Sequence, residues 1–238
     1  MRRFLLHCGL LLLTCACCHR HGEQGQASGC TAQDFDRCWV VESESDSFRL
    51  RFMHDTLELE APRGLTLWRR ECMAGDVRIA YHARVMCEPG HDDRLSDLNC
   101  FWKASDPTAC DVFSRMGERR GVFVQQYALQ LYYMGYGGNH NSTTRFRRYT
   151  ADARGVTDVA HRPPVLYEYT DSAHLLRPNQ WRHIVLECRA DTIRYYMDGE
   201  CLVCYTDPQP LVQGWFGLRT TQARVQLTGF SWQVLSTP

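Results

Sequence analysis

The chain has no excess of charge of either sign: Lys and Arg total 27, and Asp and Glu total 27. A nucleic-acid-binding face needs clustered basic residues, so no nucleic-acid partner is expected. Charges are mixed along the chain, which leaves no acidic or basic tail to serve as an interaction arm. Also absent are a sustained helical stripe, an internal repeat and a low-complexity segment. The glycines at 135, 137 and 138 are not followed by the Lys and Ser or Thr of a phosphate-binding loop. No EF-hand spacing occurs, although Asp92 and Asp93 could hold a structural calcium ion. No other cofactor is expected.

Long apolar runs are missing too. The mostly apolar stretch Phe4 to Leu13 covers about ten residues, whereas a membrane-spanning helix needs about 20. Preceded by Arg2 and Arg3 and followed by small residues and cysteines, it reads as an export signal. Ala16 before Cys17 fits the small residue that precedes a lipidated cysteine, and Cys15 is the alternative. Residues 1–17 are therefore expected to be a lipoprotein signal ending at Cys17, and residues 18–29 a tether rich in Gly, Ser and Gln. Such a protein would sit on a membrane through its lipid without spanning it. Residues 30–238 remain as one domain.

That body carries nine cysteines, an odd number that cannot pair completely within one chain. Only Cys201 and Cys204 approach zinc-ligand spacing, and a three-residue offset on a regular strand turns them to opposite faces. They are expected to be core or disulfide cysteines, with no metal site.

What is present is period-two alternation. Phe48, Leu50 and Phe52 alternate with polar neighbours, as do Val77, Ile79, Tyr81, Ala83 and Val85. Further strands are predicted over 122–134, 143–149, 181–188, 192–197, 200–205, 215–219 and 225–234. Asp198 and Gly199, between two of them, predict a tight hairpin. Strands at this density predict an all-β antiparallel β-sandwich or barrel.

Two stretches break the alternation: 91–107, with Asn99 and Trp102, and 132–149, with Tyr133, Tyr136, Asn139, His140, Asn141, Arg145 and Arg147. A sugar site needs aromatic faces for ring C–H surfaces and amide or charged groups for hydroxyls. These residues supply both. The same composition equally suits a glycine-rich hairpin with core tyrosines and a solvated arginine face. A third stretch places Glu168 near Asp171 and His174. Glu168 could serve a sugar site with a carboxylate from elsewhere, or anchor Arg145 or Arg147.

Thr66–Trp68, Ser96–Trp102, Ala104–Pro107, Gly137–Tyr149 and Gly214–Thr220 together resemble a family of exported Bacteroidetes lipoproteins containing a domain of unknown function. The resemblance implies a concanavalin A-like (jelly-roll) sandwich and association with polysaccharide degradation. It transfers no catalytic residue, and the Glu-x-Asp-x-x-Glu motif of related glucanases is absent. The implied partner is a polysaccharide or oligosaccharide.

Three functions then stand, with the lyase preferred, the binding lipoprotein as the alternative and the hydrolase third. A lyase acting by β-elimination on a uronate chain needs a carboxylate neutraliser, a base and an acid. Arg145 and Asn139 would bind the carboxylate, and His140 or Tyr136 would move protons. Asn99, Trp102, Tyr133, Asn141, Arg147 and Glu168 would line the substrate. A non-catalytic glycan-binding lipoprotein would use the same aromatics and amides. A glycoside hydrolase would pair Glu168 with a second carboxylate. The oligomeric state is not legible.

Overall fold

The computed structural model describes residues 31–91, 93–151 and 162–236. The expected signal, tether and Cys17, and also Asp92, lie outside the described residues. In chain order the strands are β1 (Trp39–Ser43), β2 (Arg49–Met53), β3 (Thr56–Ala61), β4 (Leu65–Arg69), β5 (Met73–Ala74), β6 (Val77–Met86), β7 (Leu98–Ser105) and β8 (Gln130–Gly137). They continue with β9 (Thr143–Thr150), β10 (Tyr167–Tyr169), β11 (Arg182–Arg189), β12 (Thr192–Met197), β13 (Glu200–Thr206), β14 (Gln213–Thr220) and β15 (Ala223–Val234).

Every pairing is antiparallel, and the strands form two sheets packed face to face. The first runs β1-β4-β14-β7-β8-β9-β10, with β5 attached to β14; the second runs β13-β12-β11-β6-β15-β3-β2. On β6 the alternation runs from residue 77 to residue 85: Val77, Ile79, Tyr81, Ala83 and Val85 are buried between the sheets, and Arg78, His82 and Arg84 face outward. The Asp198–Gly199 hairpin forms as predicted, with φ of 52° and 89° at the two residues, the left-handed pair that a two-residue hairpin turn demands.

The centre of the first sheet is buried on both faces. Inward, Leu98, Cys100, Trp102, Tyr132, Met134, Tyr136 and Phe146 join the inter-sheet core. Outward, Trp68, Phe101, Leu131, Tyr133 and Tyr149 form a second cluster with Val112, Tyr127 and Leu129 from the segment that follows β7. That segment lies across the outer face as a cover. Part of it, Phe123–Ala128, is a 3₁₀ turn rather than the start of a strand, so the strand expected from Val122 begins only at Gln130. The physical reason is Gln126, whose buried amide donates to Glu42 Oε1 at 2.8 Å. Glu42 also accepts from Trp68 Nε1 at 2.9 Å, Arg119 Nη2 at 3.0 Å and the Gly121 amide at 3.1 Å. A buried carboxylate is tolerated when its lone pairs are satisfied in this way.

Three further details shape the sandwich. Lys103, the chain's single lysine, is buried, and its ammonium donates to the carbonyls of Met73, Gly75 and Val212 at 3.1, 2.7 and 3.2 Å. At the sandwich's open side, the Tyr167 and Tyr169 hydroxyls each donate 2.6 Å bonds to the carbonyls of Cys204 and Leu202 on the edge strand β13. On that strand a bulge shifts the register between Tyr195 and Tyr196, so that Cys201 opposes Tyr196 and Cys204 opposes Arg194. The bulge cancels the odd offset: Cys201 and Cys204 share the outer face as exposed thiols, not as core or disulfide-bonded cysteines.

Candidate functional site

The cover stops short of one part of the first sheet's outer face, and there a pocket of about 210 Å³ opens. Its floor follows from strand register. Arg219 opposes Asn99, Asn99 opposes Gly135, Gly135 opposes Arg145, and Arg145 opposes Glu168. One row thus crosses β14, β7, β8, β9 and β10. The adjacent row sets Gly217 against Phe101, Phe101 against Tyr133 and Tyr133 against Arg147. Period-two geometry points all of these side chains outward. Gly135 makes room in the middle of the floor for the Tyr133 ring, whose hydroxyl a Cβ there would overlap. The walls are Phe123 from the cover, Glu44, Asp97, the turn at Gly138 and Asn139, and Arg162.

The lining is markedly cationic. Arg145, Arg147, Arg162 and Arg219 face Asp97 and Glu44. Arg219 is buried, donates to Gly121 O at 2.7 Å and Thr66 Oγ1 at 3.2 Å, and lies 5.1 Å from the Phe123 ring centre. Arg147 is buried and donates to Pro163 O. Burial pulls both guanidinium pKa values down, with Arg162 adding to the effect at Arg147. An anion entering the pocket would relieve that desolvation. Arg145 is paired at 2.5 Å with Glu168.

Asn99 is only 3 % exposed; its Nδ2 donates to Asp97 Oδ1 at 3.2 Å, and its Oδ1 has no partner among the described residues. Turning the amide over would set its oxygen against the Asp97 carboxylate, so the donor stays on Asp97. Tyr133 lies against Phe101 and Tyr149, with ring centres 5.5 and 5.7 Å away, and burial raises its phenol pKa. It remains a neutral aromatic surface, unsuited to act as a base near pH 7.

Of the residues singled out in the sequence, Asn99, Tyr133, Asn139, Arg145 and Arg147 line this pocket. Others do not. Trp102 is wholly buried between the sheets against Tyr132, Phe146 and Tyr195. Tyr136 is buried on the same inner side, and its hydroxyl donates to Leu175 O at 3.1 Å. Both correct the expectation of sugar contact or proton transfer: they occupy inward parity on β7 and β8. His140 is exposed at the β8–β9 turn, outside the lining. Asn141 is committed to the Leu176 backbone, donating to its O at 3.0 Å and accepting from its N at 2.8 Å. Glu168 ends the row as the anchor of Arg145. Arg148 faces inward and reaches Asp207 at 2.8 Å.

Arg219, Phe123, Asp97, Glu44 and Arg162 were missed. For Arg219 a signal existed: counted in twos from Trp215, it falls on the same face as Gly217. The others reach the pocket from loops, where strand parity says nothing. For calcium, Asp93 is held by Arg224 at 2.7 Å and by the Glu88 amide at 3.1 Å. Among the described residues no three His, Cys, Asp or Glu side chains converge on one point.

Comparison with solved structures shows the fold. A Bacillus subtilis protein of unknown function with a galectin-like fold superposes with a TM-score of 0.67 at 14 % identity, covering 89 % of this chain and 97 % of that one. The carbohydrate-binding module CBM66 of Bacillus subtilis gives 0.54 at 12 %, covering 82 % and 94 %. The exoplasmic/lumenal domain of VIP36, solved with Ca²⁺ and Man3GlcNAc, gives 0.57 at 10 %, covering 89 % of each chain. The chain is a jelly-roll sandwich of the galectin and legume-lectin kind. No curated protein matches the sequence. The family described as Domain of unknown function (DUF6250) matches residues 59–230, and the chain belongs to it.

Proposed function

We propose that this chain is a non-catalytic glycan-binding module that holds an acidic saccharide, of the uronate class, in the outer-face pocket. The observation that carries the reading is the lining itself: four guanidinium groups around the floor at Gly135, beside the Tyr133 ring and an Asn99 Oδ1 with no partner among the described residues. Guanidinium groups bind carboxylates through paired hydrogen bonds. The amide oxygen accepts from a sugar hydroxyl, and the aromatic ring covers a C–H face. Likeness in fold to a carbohydrate-binding module and to a domain solved with an oligosaccharide supports the reading.

The proton-transfer groups of a β-elimination do not support a lyase. Tyr136 is sealed in the core, His140 stands outside the pocket, and the raised pKa of Tyr133 keeps its proton on. A hydrolase is unsupported too, because Glu168 is occupied by Arg145. The module is proposed to act outside the cytoplasm, anchored by lipid on Cys17 and serving polysaccharide breakdown by other proteins. Replacing Cys17 by Ala should release it from the membrane fraction.

The test is calorimetric titration with oligogalacturonides and with neutral oligosaccharides of equal length. Acidic chains should bind, neutral ones at least tenfold more weakly, and Arg147→Met should cost the acidic ligand at least tenfold, about 1.4 kcal/mol. Equal binding of neutral chains, or indifference to Arg147→Met, refutes the site. Ultraviolet absorbance from an unsaturated uronate product should stay flat; a rise would restore the lyase.

A further inference from the structure

The outer face of the second sheet carries a feature unrelated to the pocket. His82 on β6 and His183 on β11 are directly opposed in register. Their rings stack with centres 4.6 Å apart and planes 20° from parallel. No ring nitrogen of either residue is hydrogen-bonded to a described residue. His174 behaves differently: its Nδ1 meets Asp171 at 2.8 Å and its Nε2 meets Glu200 at 3.2 Å. On the other flank of His82, β15 bulges between Thr228 and Ser231. Gly229 sits in that bulge at φ +61°, where a Cβ would lie 3.5 Å from His82 Nδ1.

Metal–imidazole bonds are about 2.0–2.1 Å long, which puts the centres of two imidazoles held side by side on one ion roughly 4.5–5 Å apart. The observed separation falls in that range, so the rings need only swivel to turn one nitrogen each toward a common point. Coordination requires neutral imidazoles. Burial, then His82 and Arg78, hold His183 below the ordinary histidine range, with Asp198 opposing. The nearby charges are already engaged: Arg78 with Glu187 at 2.5 Å, Asp198 with Arg182 at 2.7 Å, and Arg84 over the Trp181 ring at 4.5 Å.

We propose that His82 and His183 form a cross-strand site for one borderline divalent transition cation, Zn²⁺ or Cu²⁺ in class, with water completing the coordination. Imidazole is the preferred ligand of these ions, and Cu²⁺ should bind more tightly than Zn²⁺. A bridged ion ties β6 to β11, so the melting temperature should climb with the logarithm of free ion concentration once that exceeds the dissociation constant.

The experiment titrates Zn²⁺ and Cu²⁺ into the full chain and into H82Q/H183Q, with accessible thiols alkylated in both. The double variant should bind one equivalent fewer of each ion, and H82Q or H183Q alone should bind it at least tenfold more weakly. His54→Asn, in the exposed β2–β3 turn, should change nothing. Equal stoichiometry and affinity in wild type and double variant overturns the site. Should the double variant fail to fold, imidazole ¹⁵N spectra of the wild type decide: His82 and His183 must shift together on adding Zn²⁺, and unmoved resonances refute the proposal.

Discussion

Gly135 shows how much one missing side chain can do. A Cβ at this position collides with the Tyr133 hydroxyl, so Gly135→Ala must push the ring into the pocket or out of its stack. The expected outcome is loss of acidic-glycan affinity of at least tenfold, measured by titration, with the circular dichroism spectrum unchanged. At the residue scale the sequence showed which side-chain types are present, but side-chain direction was another matter. Asn99, Tyr133, Arg145 and Arg147 share odd parity on their strands and face the pocket, whereas Trp102 and Tyr136, one step out of phase, face the core. Parity is read by watching polar residues mark the wet face of a strand. Both faces of β7 and β8 are buried, so that mark is missing there.

The cover hangs on Glu42, an element-scale dependency. Glu42→Ala leaves Arg119, Gln126 and the Gly121 amide without their shared acceptor. Removing one member of a buried pair costs about 3–5 kcal/mol, which urea denaturation should read as a lower midpoint. With Phe123 released from its wall, glycan affinity should fall as well. A second clasp ties the loop before β11 to the β12–β13 hairpin: His174 lies between Asp171 and Glu200. The bond to Asp171, and then Glu200, raises the His174 pKa, while the same bond lowers that of Asp171. A raised histidine contributes stability fully present below its unfolded pKa of about 6.5 and lost as pH climbs through the native value. A lowered carboxylate contributes above about 3.9 and loses its effect as pH falls through the native value. The destabilisation caused by His174→Gln should therefore be larger near about pH 5 than near about pH 9; a pH-independent difference in unfolding midpoint would contradict this. Legibility at this scale followed solvent. β6, β12 and β13 each keep one wet face and were predictable, while the cover was hidden because its aromatic run reads like a strand when its docking surface is unknown.

At the scale of the whole molecule, zero net charge conceals local asymmetry. Composition and mixed charge gave no sign of clustered cations, yet four arginines meet in one pocket because β9, β14 and the segment at Arg162 converge there from distant parts of the chain. No linear reading collects them. Lys103 carries a different consequence. With the chain's only lysine capped by three carbonyls inside the sandwich, the folded domain offers solvent no side-chain primary amine. Reducing sugars, aldehydes and activated esters attack such amines, so the chain should escape lysine glycation for as long as it stays folded. An amine-reactive ester should leave Lys103 unmodified in buffer and label it in denaturant, as read by peptide mass spectrometry, and the labelling rate would then serve as a clock for opening of the sandwich.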